Sequence, residues 1–281
     1  MVIDFHTHTF PDAIAEKAVA KLSAKSRSRA FTGGTVGELR ASMKNAGIDR
    51  AVILPVATNP EKLTKMNDVS IAENGRDGLI LFGCVHPDAE NSLEEIRRLA
   101  RAGIRGIKIH PVYQGVDADD IRFLRILEKA GQEELCVVAH AGDDIGFPNA
   151  EQSAPEKFAR ALQEVGKVQL ILAHMGAWKK WDRVEPLFAH SSIMLDTSFS
   201  LGRIPYLEEM PEEEGKLLSE KEFCTLVRAL GADRILFGTD SPWSGQKESV
   251  DALRALPLTE EEKELILWKN AEKLLQIKTY R

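Results

Sequence analysis

Hydrophobic positions along this chain fall into two alternating patterns. Short, nearly continuous apolar runs recur eight times: Met1–Thr9, Arg50–Pro55, Leu79–His86, Arg105–His110, Leu135–His140, Val168–His174, Ser192–Thr197 and Arg234–Asp240. Runs of this length, apolar on both alternating faces, predict strands of a parallel sheet buried on both sides. Between them lie segments with apolar residues three and four apart. Ile14, Ala18, Val19 and Leu22 make one such stripe, and Ile121, Leu124 and Leu127 another. These predict amphipathic helices over Pro11–Leu22 and Asp119–Ala130. Start signals support others. Thr35/Glu38, Ser92/Glu95, Ser153/Glu156, Ser219/Glu222 and Thr259/Glu262 have the spacing of capping boxes, and Asn59-Pro60 places proline in a first turn. A shorter helix is expected near Trp181–Ala189.

Eight strand–helix units are the count of a (β/α)₈ TIM barrel of α/β class. An open doubly wound sheet is the competing architecture, but no Gly-x-Gly-x-x-Gly follows an early strand. No linker-like tract or repeat divides the chain, so residues 1–281 are read as a single domain. The composition, 43% hydrophobic and 28% charged, is that of a soluble globular protein. A net charge of −6 argues against a nucleic-acid-binding face, and the acidic stretch Pro205 to Gly215 in the long strand-seven loop, a candidate lid, points the same way. No apolar run is long enough to span a membrane, and the N-terminus lacks a basic region followed by an apolar core. Cys84, Cys136 and Cys224 form no CxxC. They are read as reduced, mostly buried thiols of a cytoplasmic protein.

The chemistry concentrates at one end of the predicted strands. His6 and His8 end strand one, His86 strand three, Lys108 and His110 strand four, His140 strand five, His174 strand six and Asp240 strand eight. Six of the seven histidines stand there, and only His190 does not. Barrel active sites form at the C-terminal ends of the strands. Burying so many rings without partners would cost roughly 1–3 kcal/mol each, and a metal ion supplies the partner. His6, His8, His140 and Asp240 make a three-nitrogen, one-oxygen set that suits Zn²⁺, with Mn²⁺, Fe²⁺ or Co²⁺ as alternatives. His174 would sit beside it. Lys108 faces inward with His110, or pairs with an inward acid such as Asp4 or Asp196. His86 and His110 each precede a proline and are expected to shape loops or the pocket rim. Trp178 and Trp243 follow His174 and Asp240 in loops, where they either line an apolar pocket or pack those loops. Arg27 and Arg29 either reach a substrate carboxylate or are solvated.

Asp4-Phe5-His6-Thr7-His8, Gly106-Ile107-Lys108-Ile109-His110-Pro111, Val138-Ala139-His140, Leu172-Ala173-His174 and Phe237-Gly238-Thr239-Asp240-Ser241-Pro242 together resemble the metal-dependent amidohydrolase superfamily. The matching branch is the amidohydrolase 2 group of TIM-barrel hydrolases, which also holds aminocarboxymuconate-semialdehyde decarboxylase. The resemblance implies His6, His8, His140 and Asp240 as metal ligands, Asp240 and His174 as catalytic residues, and one divalent ion. A second ion through Lys108 and His174 is conceivable, because two-metal members carboxylate a lysine ending strand four. Lys108, His110, Trp178 and Trp243 are the expected substrate-binding residues. The first expectation is a hydrolase that cleaves a C–N or C–O bond of a small molecule with a metal-activated water. The alternative is a non-oxidative decarboxylase on the same site. A metal-dependent DNase and a non-catalytic binding barrel rank lower. The expected partner is a small-molecule substrate, with neither nucleic acid nor membrane and with homo-oligomer formation open.

Overall fold

The structure is a computed structural model that describes residues 1–277. Each predicted apolar run contains a strand, shorter than the run. The strands are β1 (Ile3–Thr7), β2 (Arg50–Ile53), β3 (Leu79–Leu81), β4 (Gly83–Cys84), β5 (Gly106–Ile109), β6 (Cys136–Ala139), β7 (Gln169–Leu172), β8 (Met194–Asp196) and β9 (Ile235–Leu236). The third predicted strand appears as two pieces, β3 and β4, interrupted at Phe82.

The chain divides into two compact units: Met1–Ile53 together with the chain from Asp196 onward, and Leu54–Leu195. In the first unit β1 and β2 pair in parallel, Ile3 against Arg50 and Asp4 against Ala51. The ladder on the other side of β1 is formed by the segment after β9. Phe5 N donates to Phe237 O (2.7 Å), Asp240 N to His6 O (2.8 Å) and His8 N to Ser241 O (2.7 Å). In the second unit β4 to β8 run in parallel order, with Lys108 opposite Cys84 and Val138, and Ala139 opposite Leu172. Residues of β5 and β6 are buried throughout, as strands covered on both faces must be.

Helices cover these strands with one apolar face each. Ile121–Gln132 buries Phe123, Ile126, Leu127 and Ala130, and Glu220–Leu230 buries Phe223, Val227 and Leu230. Each such side chain contributes about 1.5–3 kcal/mol through removal from water. Three of the five predicted capping boxes form as expected, at Thr35/Glu38, Ser219/Glu222 and Thr259/Glu262. Two do not. Ser92 Oγ donates to His86 O instead, and Glu95 accepts from Asn67 and Arg98. Ser153 is buried ahead of a helix that starts at Pro155, whose missing N–H needs no cap. The first helix, Asp12–Ser26, runs one turn past Leu22. All three cysteines are buried and unpaired, and burial pushes the Cys84 and Cys136 thiols up to about 12, far from reactive thiolate. Among the described residues no helix is long and apolar enough to cross a membrane.

Candidate metal centre and active site

In the first unit, β1 carries Asp4 and His6 on alternate positions, and His8 directly follows its end. The hydrogen bond from Asp240 N to His6 O brings Asp240 beside both rings. Asp240 has a left-handed backbone (φ 67°), a conformation that costs a non-glycine residue energy and recurs at functional sites. The result is compact. His6 Nε2 and His8 Nε2 are 3.1 Å apart, His8 Nε2 is 3.1 Å from Asp240 Oδ1, and His6 Nε2 is 3.4 Å from it. Tetrahedral ligands bonded at about 2.0–2.1 Å lie about 3.3–3.4 Å from one another, so the three atoms fit one first-row divalent ion.

The tautomer agrees. Asp196 Oδ2 lies 2.8 Å from His6 Nδ1, and a carboxylate only accepts. His6 therefore carries its hydrogen on Nδ1 and presents a lone pair on Nε2, the carboxylate–histidine arrangement that tunes metal sites. Asp196 is fully buried, and its other oxygen accepts from Ser198 N (3.0 Å) and from Ser198 Oγ. Asn at 196 cannot serve both neighbours: an amide turned to accept from His6 points its NH₂ at the Ser198 N–H. Asp196→Asn is expected to weaken divalent-metal affinity by about 10–100-fold, read by competition with a chromogenic chelator. Asp4 braces the same segment. Its carboxylate accepts from Thr239 Oγ1 (2.6 Å), Gln246 Nε2 (2.8 Å) and Thr239 N (3.0 Å), while burial pushes it up to about 6 against those bonds.

The sequence singles out Asp196 only as an inward acid able to pair with Lys108, and Ser198 not at all. The available signal was that β8, like β9, runs into an acid after apolar residues.

In the second unit the histidines after β5, β6 and β7 cluster. His140 Nδ1 lies 3.0 Å from His174 Nε2, and the His110 ring lies flat on His140, centroids 4.1 Å apart at 10°. His174 shares with Asp240 a left-handed backbone, φ 60°. His140 Nε2 faces Asp143 O at 3.1 Å. A carbonyl only accepts, so Nε2 holds the hydrogen and Nδ1 keeps its lone pair. His110 Nδ1 accepts from Tyr113 N (3.4 Å), which leaves hydrogen on its Nε2. His110, His140 and Asp144 also bring possible ligand atoms within 4.8 Å of one another. Their two Nε2–H groups nonetheless face Asp144 at 3.6 and 3.8 Å, an electrostatic contact in which the rings turn hydrogen rather than lone pairs toward the carboxylate.

The other expected residues take definite places. Lys108 is buried on β5. His110 caps the short helix Pro111–Gln114, and His86 Nδ1 accepts from Asp88 N, both in loop-shaping roles; burial lowers His86 below its usual range. Trp178 is buried, under the Lys179 ammonium (5.5 Å). Its backbone crosses Gly142, where any side chain would strike Trp178 N, so packing of the strand-five and strand-six loops accounts for this residue. Trp243 is half-buried, and its N–H donates to Asp240 O. Arg27 is exposed beside Glu208 and Met210, and Arg29 lies over Phe31, which matches the solvated reading. The candidate lid docks along the first loop through a Ser28–Tyr206 bridge. His190 is exposed.

Comparison with known proteins places this geometry. A family model described as Amidohydrolase matches residues 3–277. Comparison with curated protein sequences finds no match. Among solved structures, an uncharacterised TIM-barrel protein, Bb4693 from Bordetella bronchiseptica, superposes with a TM-score of 0.75 at 19% identity, covering 98% of each chain. The 5-carboxyvanillate decarboxylase LigW from Sphingomonas paucimobilis gives 0.70 at 16% identity, covering 99% of each. A dihydroxybenzoic acid decarboxylase from Polaromonas sp. JS666, solved with manganese and the inhibitor 2-nitroresorcinol, gives 0.71 at 15% identity, covering 98% of this chain and 96% of that one. These likenesses show the TIM-barrel fold expected from the eight apolar runs. The family match over nearly the whole chain, with a His–His–Asp trio shaped for a divalent ion, shows that the chain belongs to the amidohydrolase family as a metal-dependent enzyme.

Proposed function

We propose that this protein is a metal-dependent, non-oxidative decarboxylase of a small aromatic or enoic carboxylic acid. The observation that carries the reading is the His6–His8–Asp240 trio, set on a fold shared end to end with decarboxylases of carboxylated phenols. The weight thus moves from the hydrolase expected first to the lyase held as its alternative.

In this reading His6, His8 and Asp240 hold one divalent ion. The bound manganese of the dihydroxybenzoic acid decarboxylase supports Mn²⁺ for a lyase, while the donor set alone favours Zn²⁺. When bound, the ion supplies Lewis acidity at substrate oxygens. Decarboxylation breaks the bond between the carboxylate and its carbon, CO₂ leaves, and the electron pair on that carbon takes a proton. Asp240, with Oδ1 against two imidazoles, is the proposed carrier of that proton. His174, whose Nε2 lies 3.0 Å from His140 Nδ1, is the second proposed catalytic residue. Lys108, His110, Trp178 and Trp243 serve the substrate side, directly or through the loops they hold. Hydrolysis is the second reading, favoured by the family's description; there Asp240 would take a proton from the attacking water and pass it to the leaving group.

The test uses protein loaded with Mn²⁺ or Zn²⁺ and a panel of hydroxybenzoates and enoic acids, with CO₂ release followed directly. A second panel holds amides and lactones. CO₂ from at least one acid, lost on chelation and restored by metal, is the expected result. Metal-dependent hydrolysis without CO₂ from any acid would overturn it.

A further inference from the structure

We infer that the first unit holds a second ligand site, a cavity that takes a small neutral arene carrying a hydroxyl group. The cavity has a volume of about 210 Å³, and the segment that follows β8 contributes much of its lining. Its apolar surface comes from Phe199, Leu217, Phe223, Phe237 and Leu253, all buried. None of His6, His8 and Asp240 lines it. The lining is held by its own hydrogen bonds. Gly238 N donates to Thr197 Oγ1 (3.0 Å), Leu217 N to Gly202 O (3.0 Å) and Leu218 N to Ser200 O (3.0 Å). Phe199 has a left-handed backbone, φ 47°, which is rare for a bulky residue. Strain of this kind persists only where the surroundings fix it, and it collects at ligand clamps. The cavity is thus preformed, as small-molecule sites usually are.

Size, surface and hydrogen bonding narrow the ligand. An apolar cavity of about 150 Å³ already holds benzene, so this one has room for a substituted single ring. Phe31 joins Phe199, Phe223 and Phe237 in the lining, and a guest ring gains edge and face contacts with them beyond simple burial. The hydroxyls of the lining set the polarity. Thr197 Oγ1 donates to Gly238 O (2.9 Å), Ser200 Oγ to Ser198 O (2.8 Å) and Ser249 Oγ to Gly245 O (2.8 Å). Each hydrogen is committed to a backbone carbonyl, so a ligand that meets one of these oxygens meets a lone pair. The ligand must bring the hydrogen, which a phenolic hydroxyl does and a carboxylate does not. Arg203 and Glu248, both exposed, bring opposite charges to the same lining, so it favours neither sign.

The experiment is fluorine NMR on the purified full chain loaded with Zn²⁺, with 4-fluorophenol as the probe, and its result does not depend on which reaction the His–His–Asp trio serves. Saturable binding is expected. Ala252→Trp and Ser249→Leu add bulk at two lining positions one turn apart on the helix Gln246–Ala255. Each is expected to weaken probe binding at least about 10-fold, with the melting temperature measured alongside to show that the variant is folded. If one variant does not fold, the other decides. In the wild type, 4-fluoroanisole, which has the ring but no hydrogen to donate, should bind severalfold more weakly than the phenol. Cyclohexanol, which has the hydroxyl but no aromatic ring, should compete poorly. At the site that the two variants block, 4-fluorobenzoate should not bind. Absence of saturable phenol binding would overturn the inference, as would binding that neither folded variant weakens, because the probe then sits elsewhere. Anisole, cyclohexanol or benzoate equalling the phenol at the blocked site would overturn the ligand class.

Discussion

Asp240→Asn is expected to lower kcat by at least about 10³-fold while leaving the fold intact. Asn is isosteric with Asp and among the residues best able to hold the left-handed backbone found at 240, so the loop should keep its shape. The bonds from Asp240 N to His6 O and from Trp243 N to Asp240 O involve backbone atoms and survive the change. What is lost is the negative charge between two imidazoles and the carboxylate proposed to carry the proton. Positioned proton transfer alone contributes about 10²–10⁴-fold, and weaker ion binding adds to it. The measurement is steady-state turnover on a substrate found in the panel above, with metal content per chain and melting temperature measured alongside. Wild-type turnover by the variant would remove Asp240 from the chemistry.

Gly238→Val should abolish metal binding by a different route. A Cβ at 238 would lie 2.8 Å from His6 Cβ and 3.5 Å from Asp196 Cβ. The first distance is shorter than carbon atoms tolerate, and β1 cannot withdraw, because its ladder to the segment after β9 is formed by Phe5, His6 and His8. The least costly relief is to move the His6 ring off Asp196 and out of the trio. Overpacking of this kind costs about 1–3 kcal/mol, visible as a lower denaturation midpoint. The chelator competition should show no stoichiometric ion in the variant. Retention of a full equivalent of metal would mean that the trio tolerates displacement of His6 and that the shared-ion geometry is mistaken.

These two substitutions also separate what was legible in the chain from what was not. The apolar runs placed every strand, and the reason is physical: a strand covered on both faces has no freedom to be polar, so its pattern survives without any knowledge of its neighbours. The same local logic made the capping boxes at Thr35, Ser219 and Thr259 readable, because a cap is completed within four residues. It failed at Ser92 and Ser153, where a hydroxyl bond to His86 O and a proline start replaced the local one. His6, His8 and Asp240 could be proposed as partners because each ends an apolar run.

Which nitrogen each ring offers was beyond any such reading. That choice belongs to Asp196 for His6, and to the Asp143 carbonyl for His140. Asp196 stands 190 residues from His6. The sequence by itself determined the order of strands and helices and the identity of the groups at the strand ends. Only the tertiary structure decided the protonation and aim of those groups, because a hydrogen's position on an imidazole depends on whichever acceptor the fold brings to the other edge.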